Sequence, residues 1–177
     1  MDYWVGDVKV VLKVKPFRVG GAQEDVDLGS IPLKHVGSSI KGILRKSAKK
    51  MANSLGIKGL DKDIFGDENR EGKIQILLES SEDSEKEKVA RYGIKLEPRL
   101  GSVKHGHLFS YSFLTIEEIQ FIIRPISKLT KEEARFLLQS LNYLRYESLG
   151  SFGSRGLGLI EDVHVDEKFR RFAEEGV

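Results

Sequence analysis

The 177-residue sequence contains no cysteine, one tryptophan, two methionines and four prolines. Without cysteine there is no disulfide framework, no thiolate nucleophile and no cysteine-ligated zinc. Long apolar runs are missing too: no stretch approaches a membrane span, and "MDYWVGDVKVVLKVK" at the start alternates apolar and basic residues where a signal peptide would carry an apolar block. A soluble, cytoplasmic protein with no membrane contact is expected. Nor does one sign of charge dominate. Lys and Arg number 29 against 27 Asp and Glu, a formal net charge of +2, so only clusters of charge can point to a partner. Internal repeats and low-complexity tracts are absent, and the length suits a single domain, 1–177.

What is there falls into an ordered set of elements. In "VKVVLKVK" (8–15), Val8, Val10, Leu12 and Val14 share one face and Lys9, Lys13 and Lys15 mostly the other, the pattern of a strand. Residues 16–36 hold two prolines, three glycines and no helical period, which predicts a long loop. "GSSIKGILRKSAKKMANSLG" then spaces Ile40, Ile43, Leu44, Ala48, Met51 and Leu55 as a helix, with Ser38 or Ser39 as its N-cap and Gly56 as its stop. After a connection rich in glycine and aspartate, "GKIQILLES" predicts a second strand, and "SSEDSEKEKVA" a solvated charge run. "YGIKLEPRLGSVKHGHLFSYSFL" predicts a long hairpin inserted at about 91–114. "IQFIIRPI" (119–126) is the third core strand. A second helix follows, opened by a capping box of Thr130 and Glu133 and turning Ala134, Leu137, Leu138, Leu141 and Leu144 inward. The last strand lies in "LGLIEDVHV". Apart from the hairpin, the order β-α-β-β-α-β predicts an α+β fold of the ferredoxin-like or RNA-recognition-motif type, which by itself assigns no function.

Two segments carry chemistry. "LGSFGSRGLG" (149–158) puts four glycines, two serines and one arginine before a strand. Phosphate-gripping loops of nucleotide-binding enzymes lie before a helix, and the Walker lysine is missing, so the segment is no standard nucleotide clamp. It either turns the chain tightly or lays exposed amides and Arg155 against an extended polyanion. The first helix carries Lys41, Arg45, Lys46, Lys49 and Lys50 with no acid between Gly37 and Met51. Five like charges repel one another unless a polyanion lies alongside. The free amides near Ser38 and Ser39 add to the same field. If the loop after the first strand approaches the glycine loop, one groove would collect all three segments and hold single-stranded nucleic acid by its backbone. Of the histidines, His35 has the chemistry of a general base for RNA cleavage or of a phosphate contact. His105 and His107 share a strand face at a metal-pair spacing with no third ligand in view, so no metal site is assigned, and base stacking accounts for them. His164 is read as structural. Phe17, Phe109, Tyr111 and Phe113 are either base-stacking or packing residues.

These segments together resemble the RAMP superfamily of CRISPR effector proteins. "HVGSSIKGILRKSAKK" resembles its PGSS-[IL]-KG-x-[LM]-R motif, with Val36 in place of the usual proline. "LGSFGSRGLGLIED" resembles its C-terminal glycine-rich loop and "IKLEPRLGSVKHGHLFSYSFL" its inserted hairpin. The nearest likeness is to the repeated backbone subunits of type III effector complexes. It implies that Ser38, Ser39, Lys41 and Arg45, with Lys49 on the same helix, contact crRNA phosphates. Gly153, Ser154, Arg155, Gly156 and Gly158 would support the same RNA path. The hairpin would act as a thumb at Arg99, Val103, Lys104 and His105, displacing one nucleotide of the guide–target duplex. Implied partners are crRNA, target RNA and copies of itself or related subunits. Many such subunits cut target RNA with an aspartate of the loop after the first strand. Here Asp25 and Asp27 both qualify, and the family's aspartate followed closely by proline is missing. Mg2+ or another divalent cation would assist that step, with no cofactor held tightly. Two other functions fit parts of the pattern: a crRNA-processing endoribonuclease of the same superfamily, and an enzyme binding a small phosphorylated ligand.

Overall fold

The computed structural model describes residues 2–17, 36–79, 88–96, 103–150 and 157–175, for 88–96 and 103–113 as backbone alone. In chain order the elements are β1 (Tyr3–Trp4), β2 (Val8–Val14), α1 (Gly37–Leu55), α2 (Leu60–Phe65), β3 (Gly66–Asp67), β4 (Arg70–Glu71) and β5 (Ile74–Leu78). The hairpin strands β6 (Lys88–Leu96) and β7 (Val103–Leu114) follow, then β8 (Glu118–Pro125), β9 (Leu129–Thr130), α3 (Lys131–Tyr143), β10 (Ile160–Val165) and α4 (Glu167–Glu174).

The central sheet has the order β10-β2-β8-β5 and is antiparallel throughout. With α1 between β2 and β5, and α3 between β8 and β10, this is the ferredoxin-like α+β arrangement expected from the element order. Period-2 alternation sets its two faces. Val8, Val10, Leu12 and Val14 of β2 are buried, as are Ile119, Phe121 and Ile123 of β8, and they share one core with Ile40, Leu44 and Ala48 of α1 and with Leu137, Leu138 and Leu141 of α3. Both helices therefore cover the same face. Where they meet, Ser47 is fully buried and donates its hydroxyl to the Ser140 carbonyl at 2.7 Å, a small pair that brings the backbones close.

Helix ends follow local chemistry. Gly56 closes α1 in the left-handed region, φ 66°, and Ile57 N–H reaches back to the Ala52 carbonyl. The capping box of α3 forms as expected: Thr130 Oγ1 accepts from the Glu133 amide, and Glu133 Oε2 accepts from the Thr130 amide. The buried Glu133 also pairs with Lys73 at 2.6 Å, so one carboxylate caps a helix and ties it to the residue before β5. The N-cap expectation for α1 is corrected. Val36 precedes the helix with no side-chain cap, which places Ser38 and Ser39 inside the first turn. Val36 is fully buried, and anchoring it in the core starts the helix earlier than the serines suggest.

Other elements had no clear signature. The 56–73 connection contains α2 and the short β3–β4 hairpin. At the chain ends, α4 packs Phe169 and Phe172 against Trp4 at ring-centroid distances of 5.3 and 5.6 Å, and Asp166 caps it from the Lys168 and Phe169 amides. The inserted hairpin is present, and β6 begins at Lys88, inside the segment read as a solvated charge run. Its base is fixed to the chain leaving β2 by a two-way backbone bridge between Phe17 and Leu114. Phe17 is fully buried, which assigns it to packing. His164 is exposed on β10 beside Asp162.

Surface carboxylates brace the sheet. Asp7 accepts two hydrogen bonds from the Arg124 guanidinium, which lower its pKa. The Val163 amide does the same for Asp162, helped by the charges of His164 and Arg145. Both groups hold protons less readily folded than unfolded. Their stabilisation is thus present above the ordinary carboxylate range and lost as pH falls through the lowered values. The urea midpoint should drop as pH is taken from about 5 to about 3, and Asp7→Asn/Asp162→Asn should flatten that drop.

Candidate nucleic-acid interface

One end of the sheet gathers the chain segments that matter. Gly158 N–H donates to the Pro16 carbonyl at 2.7 Å, and Leu149 N–H to the Gly158 carbonyl at 2.7 Å. The glycine loop is thus pinched shut at its two ends and pinned to the start of the loop after β2. Gly158 has φ 68°, and a Cβ there would lie 1.9 Å from the Leu149 carbonyl oxygen. This glycine makes the turn itself, which is a structural reason for its presence.

The first turn of α1 faces outward at the same end. The first helical hydrogen bond is Ile40 N–H to the Val36 carbonyl, which leaves the Gly37, Ser38 and Ser39 amides ahead of the ladder, with no acid in the turn. Ser38, Gly42, Arg45 and Lys49 follow as an exposed stripe at i, i+4, i+7 and i+11, flanked by the half-buried Lys41. Gly42 is the residue that the sequence reading passed over. A Cβ at Gly42 would meet nothing within 4 Å, yet a mid-helix glycine costs about 0.5–1 kcal/mol against alanine. The described residues give no reason for it. A ligand lying against the helix backbone would.

The cations of α1 divide into two groups. Lys46 (3.5 Å) and Lys50 both pair with Glu147, whose side chain is 5% exposed at the root of the glycine loop. That hydrogen bond raises the Lys50 pKa. Arg45 donates to the Gly66 carbonyl at 3.0 Å. Lys41 and Lys49 have no ion-pair partner among the described residues. Mutual repulsion along the helix is thus relieved on one side by a buried carboxylate, while the outward stripe stays positive. Glu147 had a usable signal in the sequence: it is an acid just beyond the C-terminus of a helix, where the dipole disfavours it unless cations are close.

Beside the stripe, a groove of about 500 Å³ runs past Lys41 to Asp67, Glu68, Arg70 and Glu71, and a hollow of about 340 Å³ joins Gly37 and Ser38 to the edge strand β5. The far wall of the groove is acidic. The Asn69 amide, first, and the nearby Arg70 and Lys62 charges lower the pKa of Asp67, which keeps it ionised. A polyanion is therefore favoured along the crest of α1 and disfavoured inside the groove. The open face of the sheet is different again. It presents Lys9, Val11, Lys13, Gln120, Ile122 and Leu77, and its one aromatic ring among the described residues is the imidazole of His164, beside Asp162 at the β10 edge.

Of the other residues singled out in the sequence, Asp25, Asp27, His35, Arg99, Gly153, Ser154, Arg155 and Gly156 lie outside the described residues. Val103, Lys104 and His105 open β7, with Val103 opposite Leu96 at the far end of the hairpin. Among the described residues, no group of three or more His, Asp and Glu side chains could hold a metal ion, and no helix is long and apolar enough to cross a membrane.

A family model of the RAMP superfamily matches residues 15–161, from the end of β2 into β10. The chain belongs to the RAMP superfamily. No curated protein matches it. RAMP membership brings a CRISPR-associated, RNA-binding function within multi-subunit complexes. The matched span contains α1, the hairpin and the glycine loop.

The turn assignment of Gly158 is open to a direct check. Gly158→Ala should lower stability by more than about 2 kcal/mol in urea unfolding, since it adds left-handed strain to a displaced carbonyl. An unchanged midpoint would contradict the assignment.

Proposed function

We propose that this RAMP protein is a crRNA-binding backbone subunit of a type III effector complex, packed beside copies of itself or related RAMP subunits, with target RNA paired to the guide. The observation that carries the reading is the outward stripe of α1: unclaimed amides at Gly37 to Ser39, cations at Lys41, Arg45 and Lys49, and a bare backbone at Gly42. Successive phosphates of one strand can follow such a stripe without reference to base identity. The glycine loop, with Gly153, Ser154, Arg155 and Gly156, continues the path, and Arg99, Val103, Lys104 and His105 of the hairpin reach over the duplex.

Cleavage of target RNA belongs to the same reading. A carboxylate of the 16–36 loop, Asp25 or Asp27, positions a ribose 2′-hydroxyl and takes its proton. The 2′-oxygen bonds to the adjacent phosphorus as the P–O5′ bond breaks, leaving a 2′,3′-cyclic phosphate and a 5′-oxygen that is protonated from water. Mg2+ or another divalent cation, when bound, supplies charge stabilisation at that phosphate. In reconstituted complexes with Mg2+, one of Asp25→Ala and Asp27→Ala should abolish cutting and leave RNA binding intact. Cleavage of isolated repeat RNA by the chain alone, lost in His35→Ala, would instead make it a processing enzyme.

Two variants test the stripe. With labelled single-stranded RNA of ~40 nucleotides, Lys41→Ala/Lys49→Ala should weaken binding and flatten the salt slope by roughly 1.4, the value for two lost phosphate contacts on a single strand. Gly42→Ala should act with opposite signs, stabilising the free protein by about 0.5–1 kcal/mol while weakening RNA binding. Gly42→Ala with undiminished affinity would place the RNA elsewhere.

A further inference from the structure

A second surface lies on the other side of the Glu147 root. Met51 and Leu55 of α1, Tyr143 of α3 and Tyr146 of the following 3₁₀ turn (Leu144–Tyr146) line a hollow of about 350 Å³. Tyr146 is 78% exposed and Leu55 54%. The two tyrosine rings stand 5.2 Å apart, inclined by 53°. Arg145, paired with Asp162, and the side chains of Gln139 and Asn142, without hydrogen-bond partners among the described residues, complete the rim.

The chemistry of the hollow selects its occupant. A volume at the low end of small-ligand pockets admits a flat heterocycle. Aromatic faces flanked by unpaired amides suit a ring that is apolar on its faces and hydrogen-bonding at its edge. Lys50 directly precedes Met51 in α1, and Lys46 and Lys50 remain 63% and 45% exposed at their side chains while they pair with Glu147. Arg145 lines the hollow itself, so a flat ring seated there would have a cation beside it for an attached phosphate. Tyr146 also directly precedes Glu147, three residues before the pinch that closes the glycine loop.

We infer that the hollow formed by Met51, Leu55, Tyr143 and Tyr146 is a base-stacking subsite for single-stranded RNA, taking one unpaired nucleobase on the Tyr146 ring with its edge toward Gln139 and Asn142. The inference rests on the RNA-binding reading above and adds to it a contact with a base in place of a phosphate. It predicts a contribution that salt does not screen, because stacking on an aromatic face releases no counterions.

The test compares wild type, Tyr146→Ala, Tyr146→Phe and Lys41→Ala/Lys49→Ala on ~40-nucleotide single-stranded RNA and on an abasic sugar–phosphate oligomer of equal length, at several salt concentrations. Tyr146→Ala should bind RNA roughly tenfold more weakly with an unchanged salt slope, and bind the abasic oligomer as wild type does. Tyr146→Phe, which keeps the ring, should match wild type. Wild-type affinity of Tyr146→Ala, with the lysine variant still weakened, overturns the subsite and leaves the RNA-binding reading standing. If Tyr146→Ala keeps its RNA affinity and instead changes the sedimentation of the protein, the hollow is a protein contact and the inference fails. Wild type that binds neither oligomer overturns both readings.

Discussion

A single buried carboxylate, Glu147, makes this arrangement possible. A helix with five cations and no acid across its first 14 residues is costly on its own, and a glycine-rich segment offers few side chains for packing. Glu147 addresses both. It draws in Lys46 and Lys50 and thereby fixes one side of α1 to the root of the loop. The backbone pinch from Leu149 through Gly158 to Pro16 then ties that root to the segment leaving β2. Local charge compensation on the inner side of α1 is what allows the outer side to remain uncompensated and available to a polyanion.

The same charge distribution decides which surface can hold RNA. The ferredoxin-like sheet has a free face, the place where related architectures stack bases, but among the described residues it shows aliphatic side chains, ion pairs and two lysines, with His164 beside Asp162 at one edge as its one aromatic ring. The groove beside α1 has an acidic far wall at Asp67, Glu68 and Glu71. The groove would repel a phosphate chain, and the sheet face offers Lys9 and Lys13 without the free amides of a helix start. Among the described residues, the α1 crest alone combines unclaimed amides, free lysines and a backbone unobstructed at Gly42. The rigid end of the sheet, where the hairpin base, the loop after β2 and the glycine loop converge, holds that crest in place.

Much of this was legible in the sequence because strong periodicity recorded it. The four core strands, α1, α3 and the hairpin all announce themselves by alternation or by helical spacing, and the capping box at Thr130 marks its helix to the residue. The short elements were not legible. Six residues of α2 and the two-residue strands β3 and β4 hold too few turns or alternations to register, and α4 depends on Trp4, more than 160 positions away. The start of α1 was misplaced because buried Val36 outweighs the serines that follow. The site divides in the same way. Lys41, Arg45 and Lys49 were readable as a stripe, whereas the pairing of Lys46 and Lys50 with Glu147 spans nearly 100 residues and only the fold brings it about.

The central claim, that RNA lies along the crest of α1 and leaves the open sheet face bare, is tested most directly by lysine footprinting. Wild-type protein would be acetylated with and without saturating single-stranded RNA, and the reactivity of each lysine read by mass spectrometry. Our account predicts that RNA shields Lys41 and Lys49 while Lys9 and Lys13, on the open face of β2, react as they do in the free protein. Protection of Lys9 and Lys13 with Lys41 and Lys49 still reactive would contradict it and move the RNA to the sheet.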